Sequence, residues 1–259
     1  HNGAHAPWNI KALAAGKHVL SEKPSASNAT EAKQVAAAVS KSGKIFMEGF
    51  HYYYHPVFQR ALAVLKSGEI GEVIKVESAL LIPMPKPGDL RLQFELAGGS
   101  MMDVGCYAIH SQRMISQQIT SGEPEVVKAD VNSADGKVDT KLYVQLKYPN
   151  GVAALAKGDF ESDAMQASLS ITGSKGSIYL PNFVVSGMDP RVIIESAGQK
   201  RVEHLPSIST YTYQLLAFAD AVDLGKPVKT DANDAIAQST LLDAAYISAA
   251  LPLRPIFKG

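Results

Sequence analysis

Two stretches of this chain hold side chains that can move a proton and stabilise the charge left behind. Ser21-Glu22-Lys23-Pro24 sets a lysine before a proline, whose ring fixes its own φ and biases the lysine toward an extended backbone. Gly98-Gly99-Ser100-Met101-Met102-Asp103-Val104-Gly105-Cys106-Tyr107 sets an aspartate and a tyrosine at i and i+4, on one face if the stretch is helical. An ammonium can stabilise a developing oxyanion, a phenol can give or take a proton, and a carboxylate can hold both in place. Partial burial is expected to lower the Lys23 amine, and a nearby ammonium to favour the phenolate of Tyr107. A structural alternative reads Ser100 to Asp103 as a capping box with Asp103 as a helix-end charge, and Tyr107 as a half-buried core aromatic. His110 shares the Asp103–Tyr107 face and is a further substrate-binding candidate.

The elements that must position these groups follow from periodicity and stop signals. Residues 6–15 have helical spacing, with Pro7 in the first turn and Gly16 as a stop, and 18–20 read as a short buried strand. Asn28 can cap a helix over 29–42 that Gly43 ends before a strand at 44–49. Two successive α-β steps imply a parallel sheet, with Lys23 and the His51–His55 cluster at the carboxyl ends of strands, where open α/β sheets hold ligands. A helix from Pro56 stops at Gly68, and alternating runs at 73–81, 125–132, 140–148, 152–160, 166–172, 177–180 and 192–195 read as strands. Helices at 100–119, 211–224 and 231–250 would cover one face of the resulting sheet. The expected fold class is α/β plus α+β: a partial Rossmann-like parallel sheet over 1–55, then a larger domain over 56–259 with an open antiparallel sheet covered on one face by helices. An open apolar face would need a partner, and a homodimer through it is the expectation.

The run Ala14-Ala15-Gly16-Lys17-His18-Val19-Leu20-Ser21-Glu22-Lys23-Pro24, with the glycine-aspartate-tyrosine element, resembles the glucose-fructose oxidoreductase, inositol dehydrogenase and MocA family (Gfo/Idh/MocA), in its dihydrodiol and xylose dehydrogenase branch. The resemblance implies NAD(P)-dependent oxidation or reduction of a sugar, polyol or diol. It implies catalytic roles for Lys23, Asp103 and Tyr107, and places Glu22, Lys23 and Pro24 by the nicotinamide. His51-Tyr52-Tyr53-Tyr54-His55-Pro56 resembles a cleft-lining segment of the family, with Tyr53 where an arginine often stands, so Tyr54 and His55 become substrate-binding candidates. Packing of the domain junction by amphipathic rings is the equal alternative for both. Arg91 is either a clamp on a substrate carboxylate or hydroxyl or a surface ion pair. The resemblance begins in the middle of the family's pattern: about 60 to 80 residues with a glycine-rich phosphate loop would precede His1. No G-x-G-x-x-G occurs in these residues, which implies a truncated chain or a divergent short one, and weak dinucleotide binding by the chain alone.

Composition narrows the remaining classes. The 259 residues are 46% hydrophobic and 19% charged, as in a soluble globular protein large enough for one big domain or two smaller ones. Lys plus Arg and Asp plus Glu balance at 25 each, which disfavours nucleic acid and acidic membranes as partners. The single cysteine, Cys106, excludes an internal disulfide framework and fits a reducing compartment, so a cytoplasmic location is expected. No apolar run approaches the ~18 residues of a membrane span, and the seven histidines lack metal spacing, so no metal is expected. A small-molecule substrate is the expected partner. Because fold does not fix function, a cofactor-independent isomerase, lyase or cyclase, or a non-catalytic binding protein, stays open beside the redox reading.

Overall fold

The computed structural model describes residues 1–257. The chain opens with α1 (Asn2–Ala14), β1 (Val19–Ser21), α2 (Ala29–Ser42) and β2 (Phe46–Glu48), and β1 and β2 pair in parallel from Val19↔Phe46 to Ser21↔Glu48. The Asn28 side chain accepts the Glu31 N–H to start α2, and Gly43 ends it at φ 64, a left-handed value that costs glycine nothing. Helix α1 starts four residues earlier than its apolar spacing suggests, so Pro7 lies inside it rather than in its first turn. The loss is confined to one N–H bond near the helix start.

A 3₁₀ turn at His51–Tyr54 leads into α3 (Pro56–Ser67), then β3 (Val73–Leu81). A π-helical turn at Met101–Gly105 runs directly into α4 (Cys106–Thr120). The strands β4 (Glu125–Asn132), β5 (Lys141–Lys147), β6 (Ala153–Asp159), β7 (Leu169–Gly173), β8 (Gly176–Leu180), β9 (Arg191–Ser196) and β10 (Gln199–His204) complete an eight-stranded sheet in the order β10-β9-β8-β7-β3-β6-β5-β4. The sheet is mixed rather than wholly antiparallel, because β3 and β6 run parallel from Lys75↔Ala153 to Leu81↔Asp159. The chain leaves β3, passes through α4 and the β4–β5 hairpin, and only then returns to β3, which is a crossover rather than a hairpin. The eighth strand, β10, went unpredicted. Helices α5 (Thr210–Leu224) and α6 (Ala232–Ser248) close the fold.

The main core fills the space between this sheet and helices α3 and α4, with Val76, Leu80, Val144, Ile171 and Ile194 from the strands against Phe58, Met101 and Ile109. Burying apolar area at roughly 25 cal/mol per Å² makes this layer the main source of stability. A smaller cluster joins Ala6, Leu13, Val19, Ala32, Val35 and Phe46 to Ala232 and Ala235 of α6. The C-terminal helix therefore returns onto the first layer, across the boundary drawn at residue 55.

The sheet face turned away from α4 is open but mostly polar, which corrects the expectation of an apolar face. Lys75, Glu77, Gln145, Lys147 and Lys157 alternate there with residues such as Tyr143 and Leu155. Among the described residues no helix is long and apolar enough to cross a membrane.

Candidate active site

Lys23 leaves the carboxyl end of β1 beside Gly49 of the segment after β2. A Cβ at Gly49 would stand 2.8 Å from the Ser21 carbonyl and 3.4 Å from the Lys23 amide nitrogen, so glycine permits the close approach that aims Lys23 across the cleft. The Lys23–Pro24 peptide is cis, and the Pro24 carbonyl lies 2.7 Å from Nδ1 of His5. The Lys23 amine donates to the backbone carbonyl of Asp103 at 2.5 Å and lies 3.7 Å from Asp103 Oδ1. It also sits 5.0 Å from the centre of the Tyr107 ring. Asp103 Oδ2 is 3.2 Å from Nε of Arg91, which also reaches Asp89 at 3.7 Å. Lys23, 80 residues from Asp103 in sequence, thus converges with Arg91, Asp103 and Tyr107.

The π turn shapes the convergence. It places Gly105 against Gly158 of β6, where a Cβ on Gly158 would meet the Gly105 Cα at 2.7 Å. Such wide turns recur at functional sites because they re-aim the following side chains. Ser100 makes no capping bond; its hydroxyl donates to Asp139 Oδ2 at 2.8 Å and to the Gly158 carbonyl at 3.2 Å. The capping-box alternative for Asp103 therefore fails, since its carboxylate faces the Lys23 and Arg91 cations instead.

Two electrostatic expectations are corrected. Burial alone would lower the Lys23 amine, but Cys106, Asp103, Glu22 and Tyr211 around it outweigh that and hold its pKa above the ordinary value, so it remains an ammonium. Tyr107 is raised well above the ordinary phenol by burial first, then by Cys106, Glu22, Tyr211 and Asp103, so it is a neutral phenol rather than a phenolate. His51 is pushed down to about 4 by burial, then by Lys23 and His55, and is therefore neutral.

The remaining sequence candidates separate. Glu22 is exposed beside Lys23 and contributes its charge to the lysine environment. The Tyr54 hydroxyl pairs with Thr230 Oγ1 at 3.0 Å, tying the 3₁₀ turn to the loop before α6. His55 is wholly buried, accepts the Val57 N–H as the cap of α3 and meets the Ile208 carbonyl at 3.1 Å. His110 is also wholly buried, between Asp234 at 3.0 Å, Tyr52 at 2.7 Å and the stacked ring of Phe50. The polar atoms of these three are taken up within the protein, which leaves a substrate nothing to bond. Two residues went unselected: His51, whose Nε2 is 3.0 Å from the Tyr107 hydroxyl, and Tyr211, whose ring lies over His51 at 4.1 Å. His51 belongs to the polar aromatic cluster, the one available signal; Tyr211, at the start of α5, carried none.

A cavity of about 340 Å³ lined by Val185, Gly187, Met188, Ser209, Thr210 and Tyr211 adjoins this group. A larger one of about 580 Å³, against Val39, Lys44, Phe46 and Pro227, holds none of the converging residues, so size does not pick the site. Among the described residues no three of His, Cys, Asp and Glu come together to hold a metal ion. The Glu22-Lys23-Pro24 turn lies just past the carboxyl end of β1, with the Lys23 ammonium turned toward Asp103 and Tyr107. The N-terminus of α2 does not fit a pyrophosphate, because Asn28 caps it and Glu31 places a carboxylate in its first turn.

Past the carboxyl end of β1 the Lys23 ammonium meets the Asp103 carboxylate of the π turn and the buried Tyr107 phenol of α4, groups whose chemistry allows proton transfer. Residues 1–50 match the model of the oxidoreductase family with an NAD-binding Rossmann fold, and residues 58–179 match the GFO/IDH/MocA C-terminal domain. Over 254 residues the chain is 33% identical to D-xylose 1-dehydrogenase (NADP(+)) 2 of Haloferax volcanii, covering 96% of this chain and 75% of that protein. It is 29% identical over 249 residues to dTDP-3,4-didehydro-2,6-dideoxy-alpha-D-glucose 3-reductase of Actinomadura kijaniata, covering 95% and 73%. A crystal structure of a 3-ketoreductase from Actinomadura kijaniata in complex with NADP and TDP-benzene superposes with a TM-score of 0.85 at 28% identity, over 95% of this chain and 75% of that one. The chain belongs to the Gfo/Idh/MocA oxidoreductase family.

Proposed function

We propose that this protein is an NADP-dependent oxidoreductase that interconverts a carbonyl and a hydroxyl on a sugar, with Lys23, Asp103 and Tyr107 as its catalytic residues. The observation that carries the reading is the Lys23 ammonium held by Asp103 and set 5.0 Å from the Tyr107 ring. A nicotinamide dinucleotide, when bound, would supply or take the hydride. In the reducing direction Tyr107, a phenol at rest, gives its proton to the carbonyl oxygen. Lys23 stabilises the negative charge developing on that oxygen, in a site where burial strengthens the interaction. Asp103 fixes the lysine through both its backbone carbonyl and its carboxylate, and Arg91 holds the far side of that carboxylate. Glu22, Lys23 and Pro24 would line the nicotinamide end. The relatives support the cofactor and substrate class: a xylose dehydrogenase named for NADP(+) and a deoxysugar reductase.

The test is to follow nicotinamide absorbance with NADPH plus keto-sugars and with NADP plus aldoses. Turnover lowered roughly 10²-fold or more by Tyr107→Phe is expected; turnover in neither direction across both panels overturns the reading. The proposal extends to a cytoplasmic enzyme that forms a homodimer through the open sheet face. Because Lys75, Glu77, Lys147 and Lys157 stand on that face, the dimer should weaken as salt rises. A monomeric mass by light scattering at both low and high salt would exclude it.

A further inference from the structure

We infer that His51 is a second proton-transfer residue of this site, reloading the Tyr107 hydroxyl through its Nε2 atom. The inference rests on the redox reading above. His51 Nε2 and the Tyr107 hydroxyl lie 3.0 Å apart, and His51 is the one side chain within hydrogen-bond distance of that hydroxyl among the described residues. The Lys23 amine lies 5.0 Å from the centre of the Tyr107 ring, and its hydrogen bond goes to the Asp103 carbonyl rather than to the Tyr107 hydroxyl. Once Tyr107 has given up its proton it is a phenolate in a site that disfavours the charge, and a neighbouring donor is required to restore it.

A neutral imidazole carries one N–H and one bare nitrogen, which is the arrangement a relay needs. The ring is 2% exposed, and Lys23, His55, Tyr107 and Tyr211 are the titratable groups around it, so burial and the lysine charge keep it neutral. Its Nδ1 is buried without a partner among the described residues, which is costly to leave so unless a small molecule completes it. We assign that partner as water. In the reducing direction the Tyr107 O–H bond breaks and its proton forms the new O–H bond on the substrate. The His51 Nε2–H bond breaks as its proton passes to the Tyr107 oxygen, while Nδ1 takes a proton from water; exchange with solvent then restores the starting tautomer. The net consumption is one proton from solvent. Tyr211, with its ring 4.1 Å from His51, and Tyr107 itself hold the ring in place.

Nitrogen-15 NMR of the imidazoles in the protein without cofactor tests the first half. A neutral His51 near neutral pH, with an Nε2 resonance that moves on Tyr107→Phe, is expected; an imidazolium, or an Nε2 resonance blind to Tyr107→Phe, overturns the assignment. Kinetics test the second half. Glutamine can hydrogen-bond the Tyr107 hydroxyl but cannot pass a proton on, so His51→Gln should lower kcat by about 10- to 100-fold with KM little changed. It should also enlarge the solvent deuterium effect on kcat. Full rescue of kcat by His51→Gln relative to His51→Leu would show that the ring only positions Tyr107. If no reductase turnover is found, the NMR result still decides whether the His51–Tyr107 couple exists.

Discussion

Arg254 and Asp139 form an ion pair in which neither side chain touches solvent. The pair anchors the start of the catalytic turn from both sides. Arg254 Nε donates to the Gly98 carbonyl at 2.6 Å, and its guanidinium lies 4.0 Å from the Tyr246 ring. Asp139 Oδ2 accepts the Met101 N–H at 2.7 Å and the Ser100 hydroxyl at 2.8 Å. Arg254, beyond α6, and the loop before β5 thereby fix the backbone from which Asp103 and Tyr107 project. Breaking one half leaves a buried charge without a partner, so Arg254→Met should cost about 3–5 kcal/mol in urea unfolding. Pairing it with Asp139→Leu should recover part of that loss; a single substitution costing under about 1 kcal/mol would mean that water reaches the pair.

Tyr107→Phe keeps the ring that packs edge-on against Phe50 at 5.5 Å and removes the proton-transfer group. Turnover should fall roughly 10²-fold or more. Stability should drop by about 1 kcal/mol, because His51 Nε2 loses its partner. Lys23→Met should act comparably on turnover. The double variant should be little worse than either single one, since the phenol and the ammonium serve one transition state. Additive losses in steady-state kinetics would show that they act independently.

Local rules made much of this legible. The limits of β3 and α2 follow from alternation and from the Asn28 and Gly43 signals, and both match residue for residue. Strand β10 was missed because Gln199-Lys200-Arg201-Val202-Glu203-His204 has one apolar residue and is a strand through pairing with β9. The parallel β3–β6 pair and the π turn depend on contacts distant in sequence, such as Gly105 on Gly158, which no periodicity reports. Residue types marked Lys23, Asp103 and Tyr107 as candidates. Which rings of the His51–His55 cluster face the cleft depends on the 3₁₀ turn; the family resemblance points to Tyr54 and His55, while the geometry favours His51.

Glu48 gives a pH dependence with a definite sign. It is buried under the Lys23–Pro24 loop, Oε1 accepting the Ser25 N–H at 2.6 Å and Oε2 without a partner among the described residues. Burial first, then Asp234, raises its carboxyl from 4.5 to about 7, against the Ser25 hydrogen bond and Arg113. The folded state therefore holds this proton more tightly than the unfolded one. Its stabilising effect is complete below pH 4.5 and is lost as pH rises through about 7, a change of about 3 kcal/mol. His51 titrates with the opposite sign in an overlapping range, but it is common to wild type and Glu48→Gln and cancels in their difference. Glu48→Gln imitates the protonated acid, so the difference in unfolding free energy should favour the variant increasingly between pH 4.5 and 7 and then level off. A difference independent of pH across that window would mean that Glu48 is ionised throughout.

Gly158→Ala tests whether the π turn positions the site. The added Cβ would stand 2.7 Å from the Gly105 Cα and 3.1 Å from the Ser100 carbonyl, and both are backbone atoms that no rotamer change can move aside. Overpacking of this kind costs about 1–3 kcal/mol. The strain falls on the turn itself: Asp103 lies within it, and Tyr107 follows it by two residues. Displacing the Asp103 carbonyl weakens its 2.5 Å bond with the Lys23 amine, so kcat should fall by more than the lost stability explains while the protein is still folded. Ala154→Ser, on the same strand and also facing the core, is the control: it perturbs β6 without touching Gly105 and should lower stability but spare kcat. Equal kcat in Gly158→Ala and Ala154→Ser at temperatures where both remain folded would separate the π turn from catalysis and leave it a packing device.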